Sequence, residues 1–558
     1  MFVPVEKRCK GTTIPLNVQT RKQKGPTRTT NISQKSCTFA GEMKNTHKIT
    51  MKDIYYRPEW TCGKYNTTKH VAIMFNLLMN GEYFFEHESA DVVGLILAAG
   101  RNGKVSVTKI SQALNITPES IIPFFDSLLE NGLLTEKCPL EKDVSEYKRH
   151  CAAQSNETSY MGENAEHYLH CDISSVQEAY DNAVADCTEI NSVLFELTYR
   201  CSEKCLHCYN IGATRNDKEK SGRADFEELS LRDYKRIIDE MCEAGLVSAS
   251  LSGGDPFSHK DVWDIMEYLY QKDIAVTILT NGQQVVNQIN RLAKLYPKTV
   301  RVSLYAANPE MHDGITRKKG SWQISMDVVR NLKATGVPVG ISCVLMRPGL
   351  KTYLELKSLS KQLSCPLSID YGVVSSMDGD VCATNHMRLT PEEMELIMMD
   401  PDIEMKKDDF EMSANPAPAK KGVPCMAGQR TFCVMPDGKL IPCVSMHLVL
   451  GNLKMQDLHS IVTNNPKLHK ILEATKSDYI ECGTHDYCKC CTFCAGNSYA
   501  EHRTPFHANE NDCYCAKNKY SLMMKLRDGI DILNGKSIQE NLESIPKYVF
   551  SPMYREYK

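Results

Sequence analysis

Residues Arg200–Asn210 read RCSEKCLHCYN, with Cys201, Cys205 and Cys208 in a C-x3-C-x2-C spacing. A disulfide takes two thiols, and a structural zinc site usually takes four ligands. Three is the number for a metal centre that keeps one position open. The stretch directly follows SVLFELTYR, an apolar, β-branched run that reads as a strand. Five more such runs follow by about Asp400: LVSASLS, IAVTILT, VRVSLY, VPVGISCVLM and LSIDYGVV. Helical stretches such as LRDYKRIIDEMCEAG and SMDVVRNLKATG lie between them, each closed by Gly. Six strand–helix units predict a parallel sheet with helices outside. Six is short of eight, which predicts an open, partial (β/α)6 barrel rather than a closed one. Chemistry in such α/β folds sits at the C-terminal strand ends, where the three thiols fall.

The whole chain of 558 residues has room for two to four domains. Its formal net charge of −3 gives no bulk electrostatic case for nucleic acid or a membrane surface. No run of about 18 apolar residues and no apolar signal core are present, so a cytoplasmic, membrane-free chain is expected. In a reducing compartment its 24 cysteines argue against a disulfide framework. Ten of them lie between Cys425 and Cys515, a density that reads as iron–sulfur ligation, with zinc ribbons as the alternative. Isolated cysteines such as Cys62, Cys343 and Cys365 read as small buried hydrophobes.

Residues 1–52 are basic and lack apolar periodicity, which reads as a disordered or mis-called N-terminal extension. Residues 53–140 hold a strand-like run entering a helix in EYFFEHESADVVGLILAAG, then two helical patterns in VSVTKISQALNITPESIIPFFDSLLENGLL. Thr117 and Glu119 stand where a helix start wants a cap and an acid. The order suggests a winged-helix-like module. Its acidic second helix, PESIIPFFDSLLENG, disfavours DNA and favours peptide docking on an exposed strand edge. Residues 141–190 read as a connector with a helix near Val176–Val184, 191–400 as the barrel, 401–530 as a cysteine-rich domain and 531–558 as a tail.

The cysteine motif followed by Tyr209, in the loop after the first barrel strand, resembles the radical S-adenosylmethionine (SAM) superfamily. SGGDP, Ser252–Pro256, resembles that family's Gly-Gly-Glu-Pro motif. By the resemblance, Gly253 and Gly254 let backbone approach the methionine amino group, and Asp255 stands in for the usual Glu. TNG, Thr280–Gly282, ends the third strand and adds Asn281 to the implied cofactor contacts. SLYAANPEMHDGITRKKGSW resembles the fourth-strand region of peptide-modifying members and implies SAM contacts at Ser303 and Arg317. The resemblance implies a 4Fe-4S cluster on Cys201, Cys205 and Cys208 whose open iron chelates SAM. An external one-electron donor of flavodoxin or ferredoxin type would reduce it, and the resulting 5′-deoxyadenosyl radical would abstract a hydrogen atom.

The C-terminal cysteines resemble the family's SPASM extension. Cys425, Gly438 and Cys443 give C-x12-G-x4-C, and Cys488, Cys491 and Cys494 give C-x2-C-x2-C before Cys513. The resemblance implies two auxiliary 4Fe-4S clusters. One set is Cys425, Cys443 and Cys482 with Cys433 as a candidate fourth; the other is Cys488, Cys491, Cys494 and Cys513. Cys490 and Cys515 are spare. The commonest SPASM pattern, C-x2-C-x5-C-x3-C, is not met: counted back from Cys494 it would need ligands at His485 and Ser498. The partition therefore stays open. Asp378, after the sixth strand, is a candidate base at the barrel mouth.

With the N-terminal module in front, the arrangement resembles ribosomal-peptide maturases. It implies a precursor peptide whose leader docks on residues 71–136 while its core enters the barrel and acquires a thioether or carbon–carbon crosslink. A protein side-chain maturase of the anaerobic sulfatase-maturing type is a second reading and predicts that deleting residues 71–136 barely affects turnover. A cluster-bearing DNA-binding regulator is a third and predicts salt-sensitive DNA binding without SAM cleavage.

Overall fold

The computed structural model describes residues 18–19, 52–140, 144–148, 175–184, 189–210, 227–376, 385–400, 422–483, 485–531 and 533–550. The expectations for Asp378, for most of residues 1–52 and for much of the connector fall outside these residues.

The N-terminal part is richer in strands than the sequence suggests. Strand β1 (Ile54–Tyr56) precedes an antiparallel meander, β2 (Thr61–Asn66), β3 (Val71–Asn76) and β4 (Gly81–Glu86). Helix α1 (His87–Ala98), β5 (Lys104–Ser106, paired with β1), α2 (Val107–Leu114) and α3 (Pro118–Glu130) complete it. Ser106 caps α2 through Lys109 N, and Asn115 ends it at φ 55°. Thr117 does stand at the start of α3, but its hydroxyl makes no cap bond; Pro118 opens the helix instead.

Every residue of β3 is buried, because both faces of the meander are covered. Ala72, Met74 and Phe85 pack under the helices with Val92, Phe124 and Phe125. Ile73, Phe75 and Phe84 pack on Tyr180 of α4 (Ser175–Ala183) and on Val247, Ala275 and Tyr296 of the next domain. The outer edge of β4, expected to be open, is paired antiparallel by the chain's own Val18–Gln19, with Val18 opposite Phe85 and Gln19 opposite Phe84.

The six barrel strands are β6 (Ser192–Thr198), β7 (Ser248–Gly253), β8 (Ala275–Thr280), β9 (Thr299–Ser303), β10 (Val339–Val344) and β11 (Leu367–Asp370). All five neighbouring pairs are parallel. Helices α5 (Leu231–Glu243), α6 (Val262–Gln271), α7 (Ile289–Ala293), α8 (Pro309–Thr316), α9 (Ser321–Ala334) and α10 (Tyr353–Gln362) connect them, followed by α11 (Pro391–Met398). A Ser230–Asp233 capping box starts α5, and Gly245 (φ 106°) follows its end.

The barrel sheet does not end at β6. Strand β12 (Thr431–Val434) pairs parallel to it, with Cys433 opposite Leu194, and β13 (Lys439–Ile441) and β14 (Gly451–Asn452) extend it antiparallel to nine strands. The cysteine-rich hairpin thus caps an edge that would otherwise expose unpaired backbone. Helices α12 (Leu458–Thr463), α13 (Pro466–Leu472), α14 (Ala495–His502), α15 (Glu510–Arg527) and α16 (Ile538–Ser544) follow. No helix among the described residues is long and apolar enough to cross a membrane.

Candidate active site

The loop after β6 carries Cys201, Cys205 and Cys208 at the C-terminal strand ends. It is pinned to the end of α8, where the Lys204 and Leu206 amides donate to the carbonyls of Thr316 (3.0 Å) and Ile315 (3.0 Å). Arg317, at φ 57°, follows directly. Ser303 closes β9 and engages Tyr305, and Tyr305 lies beside Cys205. The structure therefore brings Ser303 and Arg317 to the cysteine loop.

Burial pushes the Cys201 thiol up to about 12 and the Cys208 thiol up to about 11, and also raises Cys205 well above the usual thiol range. Charge also opposes ionisation between them, Cys208 acting on Cys201, and Glu203, Cys208 and Cys201 acting on Cys205. Three crowded thiolates need a cation between them, and a metal centre supplies it. The donor set fits a cluster with three protein ligands.

Gly253 and Gly254 are required by the protein's own backbone. The Gly254 amide donates to Thr198 O (2.6 Å) and the Asp255 amide to Arg200 O (3.0 Å). A Cβ on Gly253 (φ 123°) would overlap the Thr198 carbonyl oxygen, and one on Gly254 would overlap the Arg200 carbonyl oxygen. The glycines thus clamp the end of β7 onto the start of the cysteine loop. Asp255 is fully buried and its carboxylate is spoken for: one oxygen accepts from Phe257 N (3.0 Å), the other from Thr280 Oγ1 (2.7 Å) and Asn281 N (3.0 Å). Its geometry is that of a staple between strand ends. Asn281 in turn directs its amide Nδ2 at the Cys201 sulfur, 3.2 Å away.

Tyr209, which follows the motif, is anchored in the protein interior. Its hydroxyl donates to Glu196 (2.6 Å), and its ring packs beside Tyr199, Cys433, Met435 and Ile441 in the seam between barrel and hairpin. The aromatic side chain turned toward β9 is that of His207, whose ring meets Tyr305 edge-on at 4.4 Å. Burial holds His207 down at about 4, so it is neutral at physiological pH. Sequence reasoning passed over His207 although it lies inside the motif. It also passed over Asp370, the carboxylate that ends β11 and accepts from Gly372 N (2.7 Å).

The electrostatic coupling among the C-terminal thiols crosses the partition expected above. Burial raises Cys425, Cys443 and Cys494, and charge on Cys494 adds to Cys425, charge on Cys425 to Cys443, and charge on Cys443 to Cys494. Burial also raises Cys482 and Cys491, with charge on Cys513 and Cys488 adding to Cys482, and charge on Cys513, Cys482 and Cys488 adding to Cys491. Cys494 opens α14, its sulfur accepting from Asn497 N. Ile480 is bonded through its amide to Phe506 O (2.7 Å) and through its carbonyl to Ala508 N (3.0 Å), which carries Cys482 to the start of α15, where Cys513 sits. Cys433 lies in the barrel seam with only Cys443 as a thiol neighbour among the described residues. Cys490 and Cys515 pack against the sulfurs of Met523 and Met394. Among the described residues, no three His, Cys, Asp or Glu side chains are placed to hold a single metal ion.

Residues 195–354 match the sequence profile of the "Radical SAM superfamily", and residues 425–495 match SPASM, an "Iron-sulfur cluster-binding domain". The chain carries a radical SAM domain followed by a SPASM domain. The first implies a 4Fe-4S cluster and SAM, the second auxiliary iron–sulfur clusters, and together they place the chain among SAM-dependent iron–sulfur enzymes. Among curated relatives, the antilisterial bacteriocin subtilosin biosynthesis protein AlbA of Bacillus subtilis is 25% identical over 344 residues, 58% of this chain and 71% of AlbA. The mycofactocin maturase MftC of Mycobacterium tuberculosis is 27% identical over 308 residues, 53% of this chain and 76% of MftC. Streptococcus suis SuiB bound to S-adenosylmethionine aligns at a TM-score of 0.49 with 16% identity, over 82% of this chain and 99% of SuiB.

Proposed function

We propose that this chain is a peptide maturase that takes a hydrogen atom from a residue of a ribosomally made precursor and closes a thioether or carbon–carbon crosslink. The observation that carries the reading is the radical SAM loop and two further thiol sets in one chain. Relatives named for subtilosin biosynthesis and mycofactocin maturation support it.

In this reading Cys201, Cys205 and Cys208 hold the radical SAM cluster. Cys425, Cys443 and Cys494 hold one auxiliary cluster with a position free of cysteine, and Cys482, Cys488, Cys491 and Cys513 hold the other. The bound cluster and SAM supply the radical chemistry. The residues of the chain orient it: Gly253 and Gly254 seat the cysteine loop on β7, Asp255 ties that loop region to β8, and Ser303 and Arg317 flank it from β9 and α8. The N-terminal meander and helices are the element on which a leader segment docks.

The test is anaerobic incubation of the reconstituted enzyme with SAM, a strong one-electron reductant and a precursor peptide from the same genome neighbourhood. Loss of two hydrogens from the peptide, with 5′-deoxyadenosine formed, is the expected result. An unchanged peptide in the presence of intact clusters and SAM cleavage contradicts the maturase reading for that peptide class.

A further inference from the structure

We infer that Asn281 is a positioning residue for the radical SAM cluster: its side-chain amide donates a hydrogen bond to the sulfur of Cys201 and thereby sets the potential at which the cluster takes its electron. The inference rests on Cys201 being a cluster ligand, as in the function proposed above.

The geometry fixes which end of the amide faces the sulfur. Asn281 Oδ1 accepts from the Gln283 backbone amide at 3.0 Å. A backbone N–H can only donate, so the atom facing it is the oxygen, and the atom 3.2 Å from Cys201 Sγ is the NH2 nitrogen. The residue has little freedom to turn. Its backbone N–H donates to Asp255 (3.0 Å), and its carbonyl accepts from the Ser325 hydroxyl on α9 (2.9 Å). It is 8% exposed. The buried Asp255 carboxylate, which the sequence points to as a cofactor contact, acts through this residue by holding the loop that aims it.

A hydrogen bond to a ligating sulfur draws charge from it and favours the more negative, reduced cluster, which raises the reduction potential. The TNG turn is in this view a device for making a three-thiolate cluster easier to reduce in a buried setting where negative charge is costly.

The test is a redox titration of the reconstituted full chain without SAM, followed by electron paramagnetic resonance, on wild type, Asn281→Ala, Asn281→Asp and Asn281→Gln. The midpoint of the radical SAM cluster should fall in Asn281→Ala, fall further in Asn281→Asp, and recover toward wild type in Asn281→Gln, with iron content unchanged. Equal midpoints in all four, at full iron content, would overturn the assignment. Should the variants fail to hold iron, wild-type protein labelled with 15N-asparagine decides it by pulsed resonance on the reduced cluster. A nitrogen coupling from the amide is expected, and its absence overturns the proposal. Wild-type protein that binds no iron at this site would instead overturn the reading of Cys201, Cys205 and Cys208 on which it rests.

Discussion

At the scale of single residues, the SGGDP turn shows how a motif can be found in the sequence and its physics found only in the fold. Gly254→Ala places a methyl group on the Arg200 carbonyl, and Gly253→Ala does so on the Thr198 carbonyl at a φ of 123°. Each should cost at least about 2 kcal/mol in denaturant unfolding of the cluster-free chain and lower iron incorporation at the neighbouring loop. Gly340→Ala is the control, because a Cβ there meets nothing nearer than Pro366 O at 3.4 Å; it should leave both readouts unchanged. Equal stability of all three variants would contradict the clamp. The cysteine spacing was legible because ligation constrains sequence directly. The direction of Tyr209 was not, because the Glu196 partner and the β12 edge that receive its ring come from other parts of the chain. Asp255 was legible as a needed carboxylate but not as one fully engaged with Phe257, Thr280 and Asn281.

At the scale of elements, periodicity located all six barrel strands, since each is an apolar run closed by a turn residue. It missed β12 and β13 as members of the same sheet, because a short hairpin carries no mark of which edge it will join. It also missed β2 and β3 of the meander, where TCGKYN is too polar to read as a strand although the barrel floor and the helices cover it. The thiol partition proposed above departs from the spacing for a related reason. Spacing along the chain places Cys491 and Cys494 together, whereas Cys494 caps the start of α14 and is coupled electrostatically to Cys443. The two partitions predict different losses. Cys494→Ala together with Cys425→Ala should empty one auxiliary cluster and leave the other at full iron. Cys494→Ala together with Cys488→Ala should weaken both. Mössbauer and iron counts on the two double variants check this. Selective loss of one cluster in the second pair and damage to both in the first would restore the spacing-based partition.

At the scale of the whole molecule, the N-terminal module is built into the barrel floor, at the opposite end from the cysteine loop. Arg57 and Arg101 both pair with Asp273 (2.8 and 3.0 Å), Lys298 pairs with the buried Glu82 (2.5 Å), and Lys64 donates to Cys242 O (2.9 Å). Tyr296 bonds Glu59 and Asn66 bonds Glu189. All of these barrel residues precede their strands. Removing residues 71–136 would uncover Val247, Ala275 and Tyr296 and leave Lys298 without its partner, so a deletion reports on folding as much as on peptide docking. A peptide docked on the module would have to travel the barrel's height, roughly 20 Å for a six-residue strand, to reach the thiols. That chemistry at the thiols is the claim on which everything else rests. Its most direct measurement is iron, sulfide and 5′-deoxyadenosine in anaerobically reconstituted protein given SAM and reductant, beside a Cys201/Cys205/Cys208 triple-Ala variant. About twelve irons are expected, falling by about four in the variant with loss of 5′-deoxyadenosine. Zinc in place of iron, or SAM cleavage that survives the triple substitution, would contradict it.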